Sequence, residues 1–156
     1  KPHTAFQWEP QIPIEEYERR VKLLREAMNT KSVTYNWHPS PTSFMEAVIS
    51  CGDRRLGKVI ETAWRKGETL SAWEDYFDLN RWMEAFEECG LDPHFYANRR
   101  RSEDEILPWS MISCGVAPGY LKREHALSSE GVTTPDCRTH CTAGGANCPV
   151  GGTCAA

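Results

Sequence analysis

Ile14-Glu15-Glu16-Tyr17-Glu18-Arg19-Arg20-Val21-Lys22-Leu23-Leu24-Arg25-Glu26-Ala27-Met28-Asn29 is the stretch that decides the fold class of this 156-residue chain. Ile14, Tyr17, Val21, Leu24 and Met28 recur at alternating gaps of three and four residues. That spacing lines one face of an α-helix and predicts a helix over 14–29. Pro13 precedes it, where a first helical turn tolerates proline. Glu15 and Glu16 lie near the positive end of the helix and Arg25 near the negative end, as the helix dipole favours.

The same pattern repeats along the chain. Thr42 or Ser43 is placed to cap a helix through Phe44, Val48 and Cys51 that stops at Gly52. Asp53 is placed to cap the next, with Leu56, Val59, Ile60 and Ala63 as its apolar stripe and Gly67 as its stop. Asp78 reads as the N-cap of a helix over 79–89, buried through Trp82, Ala85, Phe86 and Cys89 and ended by Gly90. Asp92-Pro93 starts a short helix near 93–98. Ser102-Glu103-Asp104-Glu105 has capping-box spacing, and Pro108 keeps that helix brief. Pro118 opens a last helix to about Ser128. Strand is expected only near 5–8 and at 32–38, where Val33, Tyr35 and Trp37 alternate with polar residues. The predicted fold class is therefore mainly α with a short strand or two.

Hydrophobic content of 40% and a charged fraction of 26% are ordinary for a globular chain. A net charge of -4 argues against a dedicated nucleic-acid module. No apolar run approaches the ~20 residues that cross a bilayer. Six Trp are many for this length and point to a core or an interface with another domain.

Of seven Cys, Cys51, Cys89 and Cys114 are scattered, while Cys137, Cys141, Cys148 and Cys154 crowd the last twenty residues. An odd, one-ended set favours a reducing compartment and a local metal site over a secreted disulfide domain. The tail reads Cys137-x3-Cys141-x6-Cys148-x5-Cys154. Thiolates so spaced can converge on tetrahedral zinc or an iron–sulfur cluster, and the nearby glycines let the backbone wrap it. Two disulfides or four free thiols remain the plain alternatives. His140 stands beside Cys141 as a substitute ligand.

Other groupings have ordinary readings. Gly52-Asp53-Arg54-Arg55-Leu56-Gly57 could be an anion site, but a helix cap with solvated arginines, paired to Glu46 or Glu61, is the favoured reading. Arg99-Arg100-Arg101 reads as a solvated face balanced by Glu103, Asp104 and Glu105, with RNA or an acidic domain as the functional alternative. His3, His38, His94 and His125 have no ligand spacing and are read as structural, with His3 held open.

Lys1-Pro2-His3-Thr4-Ala5-Phe6-Gln7-Trp8 has no Met before it and no signal segment after it, and is expected to come from the interior of a longer protein. It resembles KPHTPFQW, the barrel-closing segment of a family of radical S-adenosylmethionine (SAM) proteins, departing at Ala5. Gly52–Gly57 is similar to that family's GDRRLG. Glu84-Ala85-Phe86-Glu87-Glu88, Phe95-Tyr96-Ala97-Asn98-Arg99, Leu107-Pro108-Trp109 and Thr134-Pro135-Asp136-Cys137-Arg138 also resemble its blocks, in the same order. The family carries an N-terminal cobalamin-binding-type domain and is often linked to a small radical-SAM-associated domain; no specific reaction is attached to it.

The resemblance implies a cytoplasmic enzyme with a [4Fe–4S] cluster and SAM in an upstream barrel, and cobalamin as a further candidate cofactor. It implies that residues 1–13 end the barrel, 14–130 form a helical domain packed on it, and 131–156 form a Cys-rich tail. Partners would be the N-terminal barrel of the same chain and a small radical-SAM-associated protein, with RNA a weaker candidate and no membrane. The radical-initiating cluster needs C-x3-C-x2-C, and this chain lacks that spacing, so the fragment alone should not cleave SAM. Family tails carry a denser cluster with a C-G-x-C element, from which this tail departs. The rival expectations are a non-enzymatic, metal-stabilised binding module for RNA or protein, and a disulfide-stabilised secreted domain.

Overall fold

The structure is a computed structural model that describes residues 1–28 and 30–135. Its regular elements are six helices: α1 (Ile14–Ala27), α2 (Ser40–Ser50), α3 (Leu56–Arg65), α4 (Leu79–Glu88), α5 (Pro93–Ala97) and α6 (Pro118–Ser129). The mainly helical class holds. The described residues divide into two units, Pro10–Arg100 and the combination of Lys1–Glu9 with residues 101–135. The tail cysteines Cys137, Cys141, Cys148 and Cys154, with His140, lie outside the described residues.

Pro10–Arg100 holds α1 to α5 around one core. Phe44, Met45 and Val48 of α2 meet Leu56, Val59 and Ala63 of α3, Trp82, Ala85 and Phe86 of α4, and Tyr96 and Ala97 of α5. α2 packs on α5, α1 and α4, and α3 packs on α4. Burying a side chain of Phe or Val size contributes roughly 1.5–3 kcal/mol, so this cluster supplies most of the unit's cohesion. α1 is different: it buries no residue fully, and Leu23 and Leu24 stay exposed. Its hold is partly polar, with the Tyr17 hydroxyl donating to the His38 carbonyl at 2.9 Å. The two chain ends of the unit are tied together. Gln11 N–H donates to the Ala97 carbonyl at 2.8 Å, and the Asn98 amide donates to the Gln11 carbonyl at 2.8 Å.

Local chemistry accounts for the helix ends. Asp78 accepts from Asn80 N–H and Asp92 from His94 N–H, capping α4 and α5 as their sequences require. Gly90 adopts φ +64°, which lets Leu91 N–H reach back to the Phe86 carbonyl at 3.0 Å. α2 starts earlier than Thr42, because Pro39 and Pro41 hold φ near helical values and Ser40 is tied by its hydroxyl to Glu18 at 2.6 Å. At α3 the N-cap position is Arg55, and Asp53 instead closes the preceding turn by accepting Arg55 N–H.

Two further expectations are corrected. No strand occurs among the described residues. Residues 32–38 run without a ladder partner, and Trp37 stacks on Tyr35 at 5.3 Å with the Arg25 guanidinium over it at 4.9 Å. Residues 5–8 are turns, closed by Gln7 N–H to the Thr4 carbonyl and Glu9 N–H to the Phe6 carbonyl. The second correction concerns Ser102–Glu105, which form a turn rather than a helix. Glu105 N–H returns to the Ser102 carbonyl at 3.1 Å, and Pro108 follows too soon for a second turn.

Candidate functional site

The unit of residues 1–9 and 101–135 is built on buried tryptophans. Trp8, Leu107, Trp109 and Leu121 are its buried apolar side chains, with Gln7 and Arg101 buried beside them. Gln7 Oε1 accepts twice, from Trp109 Nε1–H at 2.8 Å and from His3 N–H at 3.1 Å. Arg101 N–H donates to the Trp8 carbonyl at 2.8 Å, and its guanidinium lies over the Trp109 ring at 5.7 Å. The residue-99-to-101 triplet is therefore not one solvated face. Arg101 is buried, and Arg99 lies over Phe95 at 4.5 Å.

A cleft of about 230 Å³ opens on this framework. Trp8, Leu107, Trp109 and Leu121 supply its apolar side; His3, Glu103, Cys114 and Lys122 supply polar groups. Ligand pockets run from roughly 300 Å³ upward, so the cleft suits a side-chain-sized part of a substrate rather than a whole nucleoside cofactor. His3 lines it with φ +57°, in the left-handed region. A non-glycine residue there carries roughly 1–2 kcal/mol of strain, and such strain concentrates at working sites.

Beside the cleft, His125 of α6 stands between two carboxylates. Its Nδ1 faces Glu103 Oε1 at 2.9 Å and its Nε2 faces Glu9 Oε1 at 2.9 Å. Its ring also packs on Trp8, with centroids 5.4 Å apart. The Glu103 hydrogen bond first, and the Glu9 hydrogen bond second, push the imidazole above its ordinary value and favour imidazolium. Sequence reading placed His125 among structural histidines. Its partners are 22 and 116 residues away, so spacing carried no signal.

Of the other sequence candidates, Gly52–Gly57 forms a turn closed by Asp53 and Arg55 rather than the expected side-chain cap of α3. Asp53 binds Arg55 through both oxygens, so Arg55 pairs with neither Glu46 nor Glu61. Hydrogen bonds from Arg55 hold the Asp53 carboxyl below its usual range. Arg55 also lies over Phe95 and Tyr96, at 5.6 and 5.7 Å. His94 faces Asn98 and packs on Phe44. Cys51, Cys89 and Cys114 are free thiols, and no group of three metal-ligating side chains occurs among the described residues. Those thiols therefore do not fit the three-thiolate requirement of a SAM-binding cluster. No described helix is long and apolar enough to cross a membrane. Compared with protein-family models, curated proteins and solved structures, the chain matches none.

Proposed function

We propose that this chain is the C-terminal region of a cytoplasmic radical SAM protein, and that its tryptophan-framed cleft faces the substrate. The observation that carries this reading is the Gln7–Trp109 hydrogen bond. It joins Lys1–Trp8 to Leu107-Pro108-Trp109, two blocks of the resemblance a hundred residues apart. His3, in the first block, turns its strained backbone to the same cleft. In this reading the region contributes shape and polarity. Imidazolium at His125 and the carboxylates around it set the charge near the cleft, while the [4Fe–4S] cluster and SAM belong to an upstream barrel. Cobalamin, and a small radical-SAM-associated partner protein, come with the same proposal. Cofactors supply the difficult chemistry in such enzymes, and the surrounding protein positions and shields. The Cys137, Cys141, Cys148 and Cys154 tail would hold a second centre, zinc or iron–sulfur.

Reading the parent coding sequence tests the core of this. A C-x3-C-x2-C motif in a barrel upstream of Lys1 supports it; an unrelated upstream domain removes it. Anaerobic purification with zinc and iron analysis tests the tail, alongside a variant with all four cysteines changed to Ser. Stoichiometric metal in the parent alone supports the second centre, whereas equal trace metal in both proteins rejects it.

A further inference from the structure

The segment between α3 and α4 has no part in the cleft, yet a buried carboxylate holds both of its ends. Glu68 is buried, its side chain 0% exposed. Its Oε1 accepts from the Ser71 hydroxyl at 2.8 Å, Asp78 N–H at 3.3 Å and Trp82 Nε1–H at 3.2 Å. Arg81 approaches Oε2 at 3.5 Å. One carboxylate thus clamps both ends of the loop from beneath. Between those ends, Trp73 N–H returns to the Leu70 carbonyl and Tyr76 N–H to the Trp73 carbonyl. Two successive three-residue turns repeat the spacing at which side chains eclipse along a 3₁₀ helix.

The side chains at that spacing are Leu70, Trp73 and Tyr76, which are 61%, 66% and 56% exposed. Phe77, one residue later, packs against the core instead. Leu70 holds φ +58°, a strained conformation for a branched apolar residue in water. A rigid base, a strained leucine and two exposed aromatics are costly features for a plain connection, and together they mark an interaction surface. Charge identifies the partner. Between Gly67 and Asn80 the charged residues are Glu68, Glu74, Asp75 and Asp78, all acidic. Glu68 and Asp78 are engaged within the loop, while Glu74 and Asp75, between the two aromatics, have no ion-pair partner among the described residues. Phosphate-bearing partners are repelled by such a surface. An ammonium or guanidinium is attracted twice, by the carboxylates and by the Trp73 ring face.

We propose that the Leu70–Tyr76 loop docks a basic amphipathic segment of another protein, with apolar side chains on Leu70, Trp73 and Tyr76 and its Lys or Arg on Glu74, Asp75 and the indole face. The surface belongs to Pro10–Arg100 and does not depend on the radical SAM reading.

The test uses the full chain and an amidated 14-residue helical peptide of Leu and Lys. Binding is followed by the Trp73 indole N–H resonance, assigned through its loss in Trp73→Phe. The expected result is a saturable shift of that resonance. Trp73→Ala should weaken binding about tenfold, the size of an interface anchor. A Glu74→Gln, Asp75→Asn double variant should weaken it at low salt and flatten its salt dependence. These side chains are exposed, so unchanged helical circular dichroism will confirm that each variant folds. Equal binding by the parent and Trp73→Ala overturns the proposal. So does equal binding of the same peptide with Glu in place of Lys. Loop-dependent binding to single-stranded DNA or to lipid vesicles, or self-association abolished by Trp73→Ala, reassigns the surface and equally overturns it.

Discussion

The Gln7 amide oxygen accepts the Trp109 indole N–H at 2.8 Å, and both partners are buried. The same oxygen accepts His3 N–H, so one atom fixes a strained backbone and a core tryptophan together. Gln7→Leu keeps most of the volume and removes the acceptor. Leaving a buried donor unsatisfied costs about 1–3 kcal/mol. The expected outcome is a loss of about 2 kcal/mol, read by hydrogen exchange at the Trp109 indole and the Arg101 amide. An unchanged exchange rate would show that the contact adds nothing to that unit.

Glu68 should be among the least replaceable residues between α3 and α4. Glu68→Ala strands the Asp78 and Trp82 N–H donors and removes one of the two carboxylates that face Arg81. Losing one partner of a buried charged network costs roughly 3–5 kcal/mol; Arg81 is 42% exposed, so the low end applies. Glu68→Gln, which retains an acceptor, should cost about half as much. Urea denaturation followed by far-ultraviolet circular dichroism measures both. Equal losses for the two variants would contradict the clamp.

His125 makes the stability of its unit depend on pH. Contact with Glu103 and Glu9 raises its folded-state pKa above the ordinary 6.5. The extra stability is fully present below 6.5 and is lost as pH rises through the raised value. Melting temperature should therefore fall as pH rises above 6.5, and His125→Gln should flatten that part of the profile. A parent profile that rises over this range would reverse the sign and refute the pairing.

A side chain at Gly52 would force Leu56 to move. A Cβ there would lie 2.0 Å from Leu56 Cδ1 and 3.1 Å from the Val48 carbonyl oxygen. Leu56 and Val48 are both in the core. Gly52→Ala should cost about 1–3 kcal/mol, the usual range for overpacking. Leu56→Ala alone is costly because it empties a core position, but the added cost of Gly52→Ala should be smaller in that background, since the shorter side chain vacates the contact. Thermal unfolding of the two single variants and the double variant closes the cycle, and strict additivity would rule out the clash as the cause.

Asp78, Asp92 and Pro93 were legible because capping is local: the side chain and the N–H it serves lie two residues apart. Val33, Tyr35 and Trp37 misled because a strand needs a partner, and period alone does not supply one. Arg101 was misplaced with its neighbours because its bond to the Trp8 carbonyl comes from the other end of the described unit. His125 was passed over for a similar reason, its carboxylates lying 22 and 116 residues away. The described fold of Pro10–Arg100 was thus mostly readable from caps and apolar stripes, while the cleft was not, because the contact that joins its two sides, Gln7 to Trp109, is distant in sequence.

The buried residues of the Pro10–Arg100 core all lie between Phe44 and Ala97. The ties from Gln11 to Ala97 and Asn98 hold the two ends of that unit together. Just beyond those ends, Arg101 N–H is bonded to the Trp8 carbonyl. Once residues 10–100 have closed on themselves, the two segments of the other unit are joined by a short effective loop rather than a long coil. Part of the entropy of bringing Trp8 to Leu107 and Trp109 is then already spent.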